Sequence, residues 1–151
     1  MKTKTKKAFT VVELMVGMVA VAIVILATGT ILVASQNFLT DATVKTKLQR
    51  DASYAMLTMN QAIRAAGSAE IEADGKAVLI HRETGWVRFS AANEGKTLTR
   101  EIQQQQPHPL VIGTVENLTF TVQGNTVEID LTLKNSIFQN HLISTVMIRN
   151  N

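Results

Sequence analysis

The residue whose chemistry stands out first is Glu13, a carboxylate at the start of an apolar segment. It is the only ionisable residue between Lys7 and Asp41, and residues 14–34 carry no charge. A carboxylate at membrane depth is costly unless it is paired, so its presence indicates ion pairing with a cationic group. The alternative is a carboxylate at the level of the lipid headgroups, whose side chain reaches water.

The segment that follows Glu13 has the length and composition of a membrane-spanning helix. As a helix, residues 14–34 would extend about 31 Å, close to the thickness of the hydrocarbon core. The next basic residue after the segment is Lys45. Four lysines precede the segment: Lys2, Lys4, Lys6 and Lys7. By the positive-inside rule, the N-terminus lies in the cytoplasm and the C-terminal part lies outside.

Two simpler interpretations of this segment remain open. A secretory signal peptide would have a shorter apolar core, followed by a small-x-small cleavage site, for which residues 27–29 or 33–35 are the candidates. A plain signal anchor would account for the lysines and the span, but it would not account for Glu13.

Charge and composition exclude several kinds of site. The formal net charge is +3, but without the four N-terminal lysines the basic residues fall from 15 to 11, against 12 acidic residues. The rest of the chain therefore lacks the basic footprint of a nucleic-acid-binding protein. The chain has no cysteine, which excludes disulfides, thiolate metal sites and cysteine nucleophiles.

The residues around Glu13 resemble the N-terminal signature of type IV prepilins and pseudopilins. The sequence reads Lys6-Lys7-Ala8-Phe9-Thr10-Val11-Val12-Glu13-Leu14. As in that family, a short basic leader ends in a small residue and is followed by phenylalanine, three mostly apolar residues, glutamate and leucine. The alanine at position 8 departs from the usual glycine but is also small. The resemblance covers the leader and the apolar segment.

This resemblance implies a processing pathway and a role for each matched residue. A membrane-embedded prepilin peptidase would cut between Ala8 and Phe9, removing the leader 1–8, and would methylate the new N-terminal amine on Phe9. Residues 9–35 would anchor the subunit in the inner membrane and later form part of a filament core. Glu13 would pair with the N-terminal amine of a neighbouring subunit and fix its axial position during assembly.

A helical pattern continues beyond the apolar segment. Apolar residues recur on one helix face: Leu48, Ala52, Ala55, Met59, Ile63 and Ala66. Gly67 follows as a natural terminator, and no proline interrupts residues 9–66, which predicts one continuous helix whose part at 36–67 is amphipathic. Many major pilins carry a proline in the span, so its absence here favours a minor pilin or a pseudopilin.

From residue 68 onward the pattern changes to the alternation typical of β-strands. The predicted strands are residues 78–81, 86–89, 97–102, 118–122, 127–133 and 142–148. Hairpin turns are predicted at Thr84-Gly85 and at residues 123–125. The expected fold class is therefore α+β and type IV pilin-like: a long N-terminal helix packed on a small antiparallel β-sheet head, residues 68–151.

The head also resembles PilW-type minor pilins and J-type pseudopilins in four short segments. These segments are residues 64–67, Thr99-Arg100, residues 115–120 and residues 146–150. PilW-type proteins are usually longer and carry large insertions, so this chain would be a compact version of them.

No sequence motif indicates catalysis or a cofactor. The histidines His81, His108 and His141 lie far apart, without the spacing of metal ligands. Phosphate-binding glycine loops, nucleophile elbows and EF-hand loops are missing. The acidic residues at 70–74 are more typical of a solvated turn than of a calcium site. We therefore expect neither an enzyme nor a resident metal or cofactor.

The sequence predicts a structural subunit: a minor pilin or pseudopilin that joins, or helps to initiate, a type IV pilus-like filament. Its partners would be the prepilin peptidase/methyltransferase, other pilins or pseudopilins, and the inner-membrane assembly platform. Type II secretion and competence systems are alternatives within this class. Outside the class, one alternative is a filament-tip module that binds a receptor or DNA. The basic and aromatic residues that suggest such a module are Arg82, Trp86 and Arg88. Another alternative is a membrane-anchored periplasmic enzyme.

Overall fold

The computed structural model describes residues 10–149. The regular elements in this range are a long α-helix, a short 3-10 turn at Ala73–Gly75 and eight β-strands. The chain divides into two compact units, Met1–Thr43 and Val44–Asn151. The boundary between the units falls within the helix.

The helix α1, Val11–Arg64, is uninterrupted. At its C-terminal end the N–H of Ala66 donates to the carbonyl of Ile63 at 3.0 Å, a tight closure that is common where helices end. The N–H of Gly67 then donates to the carbonyl of His81 at 2.9 Å, which directs the chain into a sheet. The prediction of one continuous helix is confirmed, with its end at Arg64 rather than Ala66.

In the second unit, one face of α1 is buried against the strands. Its buried residues are Leu48, Ala52, Ala55, Met56, Met59, Ala62 and Ile63, followed by Ala66 just beyond the helix end. Every member of the predicted apolar stripe is among them, which confirms that stripe.

A five-stranded antiparallel sheet follows the helix. In spatial order its strands are β1 (Ser68–Glu72), β2 (Ala77–Arg82), β3 (Gly85–Ala92), β4 (Thr97–Ile102) and β5 (His108–Val111). Each strand pairs with the next in sequence, so the sheet is a simple meander. Because Arg82 pairs with Gly85, the first tight turn is Glu83-Thr84, one position before the predicted turn.

A separate three-stranded antiparallel sheet completes the head. Its strands are β6 (Val115–Gln123), β7 (Thr126–Lys134) and β8 (Gln139–Met147), in that spatial order. Gln123 pairs with Thr126, which leaves Gly124 and Asn125 as the turn. Gly124 has φ of 58°, a left-handed conformation that glycine adopts without steric cost.

The helix and both sheets share one apolar core, whose large members include Met59, Phe89 and Ile129. The α+β class is therefore confirmed, with the long helix packed on antiparallel strands. The head has two sheets, however, where one was predicted, and β1 and β5 were not predicted. Strand β5 contains Pro109 and lies at the edge of its sheet, where the missing amide removes no interior ladder bond.

Candidate functional site

The first turn of α1 places Glu13 beside Thr10. The Oε2 atom of Glu13 accepts a hydrogen bond from the backbone N–H of Thr10 at 2.9 Å and another from its hydroxyl at 3.1 Å. In return, the backbone N–H of Glu13 donates to the hydroxyl oxygen of Thr10 at 3.2 Å. This reciprocal pattern is a capping box, which satisfies backbone amides that have no partner within the helix.

Thr10 was not predicted as a site residue, although threonine three positions before glutamate at the start of an apolar run is the pattern of a capping box. The box gives Glu13 a local role in starting α1. Both hydrogen bonds end on Oε2, and no described residue donates to Oε1. Among the described residues, the Thr10 contacts therefore engage only one of the two carboxylate oxygens.

Glu13 stands at the start of a shallow groove along the apolar helix. The groove is lined by Glu13, Leu14, Gly17, Met18, Val21, Ala22 and Ile25. A β-carbon placed on Gly17 would meet no atom within 4 Å, so no described residue of this chain covers the helix backbone there. Small residues of this kind allow close approach of a second helix in an apolar medium.

The first part of α1 is apolar on all sides and exposed. Every residue from 10 to 40 is exposed, including large apolar side chains such as Leu26 and Ile31. A surface helix of a water-soluble domain would instead bury one apolar stripe. Among the described residues, α1 is a helix long and apolar enough to cross a membrane. The first unit could therefore span a bilayer once.

The other predicted site residues lie outside the described residues. They are Ala8 and Phe9 at the predicted cleavage site, and Lys2, Lys4, Lys6 and Lys7 in the leader. Cleavage between Ala8 and Phe9 and methylation of Phe9 therefore stay predictions, as does the pairing of Glu13 with a neighbouring amine.

The three histidines are dispersed over the head. The Nε2 atom of His81 lies 3.8 Å from a carboxylate oxygen of Glu70, and that of His141 lies 2.9 Å from Asp130 on the adjacent strand. His108 begins β5. Within residues 10–149, no three histidine, aspartate or glutamate side chains come together as metal ligands.

The basic and aromatic residues that hinted at a receptor-binding module do not form one surface. Trp86 and Arg88 lie on the outer face of β3, because the residues that alternate with them are buried. Arg88 there is neutralised by Glu72 at 2.7 Å and by Glu101 at 3.8 Å. Arg82 lies at the end of β2, in line with its core-facing residues.

The chain matches no protein-family model, and no curated protein matches it.

Proposed function

We propose that this chain is a structural subunit of the type IV pilin class, a minor pilin or pseudopilin that joins or initiates a pilus-like filament. The observation that carries the proposal is the presence, on one helix, of an exposed apolar segment and a carboxylate in its first turn. A plain membrane anchor needs the segment but does not need a negative charge at its start. The N-terminal motif around Glu13 supports the same class.

The free-energy cost of placing the Glu13 carboxylate in an apolar medium depends on the groups that surround it. In a bundle of apolar helices an unpaired carboxylate is strongly unfavourable, whereas a cationic amine beside it offsets the desolvation of both groups. Cleavage between Ala8 and Phe9 would create such an amine on each subunit. A neighbour that docked one residue out of position would leave both charges unpaired, so the pair would fix the axial register.

The capping box is compatible with this pairing. The hydrogen bonds from Thr10 hold Oε2 and orient the carboxylate, while Oε1 has no donor among the described residues. An oriented side chain loses less conformational entropy when a partner docks. Capping alone does not require a charge, since glutamine serves at the same position. The negative charge is therefore the feature of Glu13 that assembly would use.

The remaining features of the proposal concern location and partners. The leader 1–8 would lie in the cytoplasm, residues 9–35 in the inner membrane, and the head in the periplasm until the subunit enters the filament. The partners would be the prepilin peptidase/methyltransferase, the inner-membrane assembly platform and other pilins or pseudopilins. The head would determine which subunits lie next to it. Both pilus and type II secretion filaments fit this role.

Peptidase-dependent recovery in sheared filaments tests the proposal. An epitope-tagged full chain would be expressed in a host with an inducible filament system, with and without its prepilin peptidase. We expect the tagged chain in the sheared filament fraction when the peptidase is present, and in the inner membrane when it is absent. Recovery that does not depend on the peptidase, or retention in the membrane while other subunits form filaments, would contradict the proposal.

A further inference from the structure

Two arginines lie on the side of the five-stranded sheet that faces the core. Arg82 follows Ile80 at the alternate position of β2, so the two side chains share a face. Arg100 on β4 pairs directly with Phe89, which is completely buried. Arginine is uncommon on such a face, because burying a guanidinium group is costly unless it is paired.

The two arginines line one cavity between α1 and the sheet, with a volume of about 200 Å³. Gln61 of α1 and the apolar residues Val87 and Phe89 also line it. Since one water molecule occupies about 30 Å³ in the liquid, the cavity is large enough for a small oxyanion together with water.

The positive charges in this cavity are not neutralised within the described part of the chain. Neither Arg82 nor Arg100 has a carboxylate within ion-pair distance there. The Nε atom of Arg82 is shielded from solvent and has no hydrogen-bond partner among the described residues. By contrast, Arg88 on the opposite face of the sheet is paired with two glutamates.

The unfavourable electrostatics of two adjacent, unneutralised arginines affect Arg82. Partial burial lowers the pKa of Arg82 below its ordinary value, and the nearby positive charge of Arg100 lowers that pKa further. The guanidinium group nevertheless stays charged at neutral pH. An anion in the cavity would remove this cost.

A second cleft, of about 740 Å³, shares Gln61 and Arg82 with the first cavity. Arg64 and Arg149 also line it, together with Glu83. Among the described residues, no ion pair joins Glu83 to an arginine. Several positive side chains converging on one cleft raise the local concentration of anions, so the outer cleft would attract an anion toward Arg82.

We propose that the cavity between Arg82 and Arg100 binds a small oxyanion, either a carboxylate or a phosphate. Guanidinium groups present planar, charged donors that match both kinds of oxyanion. The bound anion would accept hydrogen bonds from guanidinium N–H groups that face the cavity, and it would neutralise the two like charges. This role does not depend on the proposed filament function.

Titration of the full-length protein in an uncharged detergent tests the site. Sodium phosphate and sodium acetate are added separately, with chloride as the balancing anion at constant ionic strength. Binding is measured by isothermal titration calorimetry and by the thermal unfolding midpoint. We expect saturable binding of at least one anion and a midpoint above that in chloride. Saturation by acetate alone identifies a carboxylate ligand, and saturation by phosphate alone identifies a phosphate ligand.

The substitution Arg82→Gln should weaken this binding roughly tenfold to a hundredfold, because it removes a charged hydrogen-bond donor. Arg50→Gln is the matched control, since Arg50 is exposed, pairs with its neighbour Asp51 and lies outside both cavities. Identical responses of the unsubstituted chain to phosphate, acetate and chloride would overturn the proposal, whether or not the Arg82→Gln variant folds. So would unchanged affinity in a folded Arg82→Gln variant.

Discussion

Replacing Glu13 by glutamine separates the charge of this side chain from its role as a helix cap. Glutamine is accepted at the same position of a capping box, so the start of α1 should persist in Glu13→Gln. The variant loses only the negative charge that would pair with the amine of Phe9 on a docking subunit. We expect normal membrane insertion and normal processing, but poor incorporation into filaments.

The matched control is Thr10→Ala, which weakens the cap and keeps the charge. Two of the three hydrogen bonds in the box use the hydroxyl of Thr10, at 3.1 Å and 3.2 Å, and are lost; the bond from its N–H, at 2.9 Å, remains. Loss of such a cap costs about 1 kcal/mol, or roughly a fivefold change in an equilibrium constant. Removing one member of a buried ion pair typically lowers an equilibrium constant by about a hundredfold or more.

The assay compares filament incorporation at equal expression. Each tagged variant is co-expressed with the other filament subunits, and the ratio of sheared-filament signal to membrane signal is measured on immunoblots. We expect Thr10→Ala to remain within about fivefold of the unsubstituted chain. Both Glu13→Gln and Glu13→Val should fall far below it.

Two outcomes would refute this reasoning. Normal incorporation of Glu13→Gln would show that the charge is not needed and would leave Glu13 as a helix cap. A defect in Thr10→Ala as severe as that in Glu13→Gln would show that the cap, rather than the ion pair, limits assembly.

Three further substitutions test other parts of the account. Ala8→Trp should leave the leader attached, because the predicted protease site accepts a small residue; efficient cleavage, seen by intact mass, would remove the assigned site. Phe89→Ala should lower the free energy of unfolding by about 3–5 kcal/mol, whereas Phe38→Ala, at an exposed position, should change it by less than about 0.5 kcal/mol. Urea unfolding followed by the fluorescence of the single tryptophan measures both, and equal effects would contradict the assigned core. Gly75→Ala should cost about 1–2 kcal/mol in the same assay, because Gly75 has φ of 88° and its β-carbon would lie 3.3 Å from a carbonyl oxygen; an unchanged value would contradict the turn geometry.

Elements that are buried on one side could be predicted from the sequence. The stripe at 48–66 repeats with the helical period, and its members are buried as expected. In β7 the apolar residues Val127, Ile129 and Leu131 alternate with polar ones and are completely inaccessible to solvent. An element that buries one face repeats its apolar residues with the period of that element, so the repeat in the sequence is sufficient to predict the element in these cases.

Strands that are stabilised mainly by pairing with a neighbouring strand were not predicted from the sequence. Strand β1 carries Glu70 and Glu72, and its Ile71 remains partly exposed, so its sequence has no clear apolar face. It forms because β2 offers a free edge, and β5 forms in the same way beside β4. Strand formation of this kind depends on tertiary contacts, which a local sequence pattern does not show. The division of the head into two sheets has a similar long-range origin.

Prediction of the candidate sites from the sequence is limited in the same way, because it succeeds only for residues that are close together in sequence. Glu13 could be singled out because a charge in an apolar run is conspicuous, and the cap at Thr10 was present in the sequence as a short motif. Arg82 and Arg100 lie on strands separated in sequence, and the pairing of Arg100 with Phe89 places it on the core-facing side. Pairing register of this kind depends on the folded sheet.

The central claim is tested most directly by the intact mass of the full protein, purified from the membrane of a host that has a prepilin peptidase. The account predicts a chain that begins at Phe9 and carries one added methyl group. A chain that retains Met1 would contradict the account and indicate a simple signal anchor. A chain that begins near Gln36 would contradict it as well and indicate an exported soluble domain.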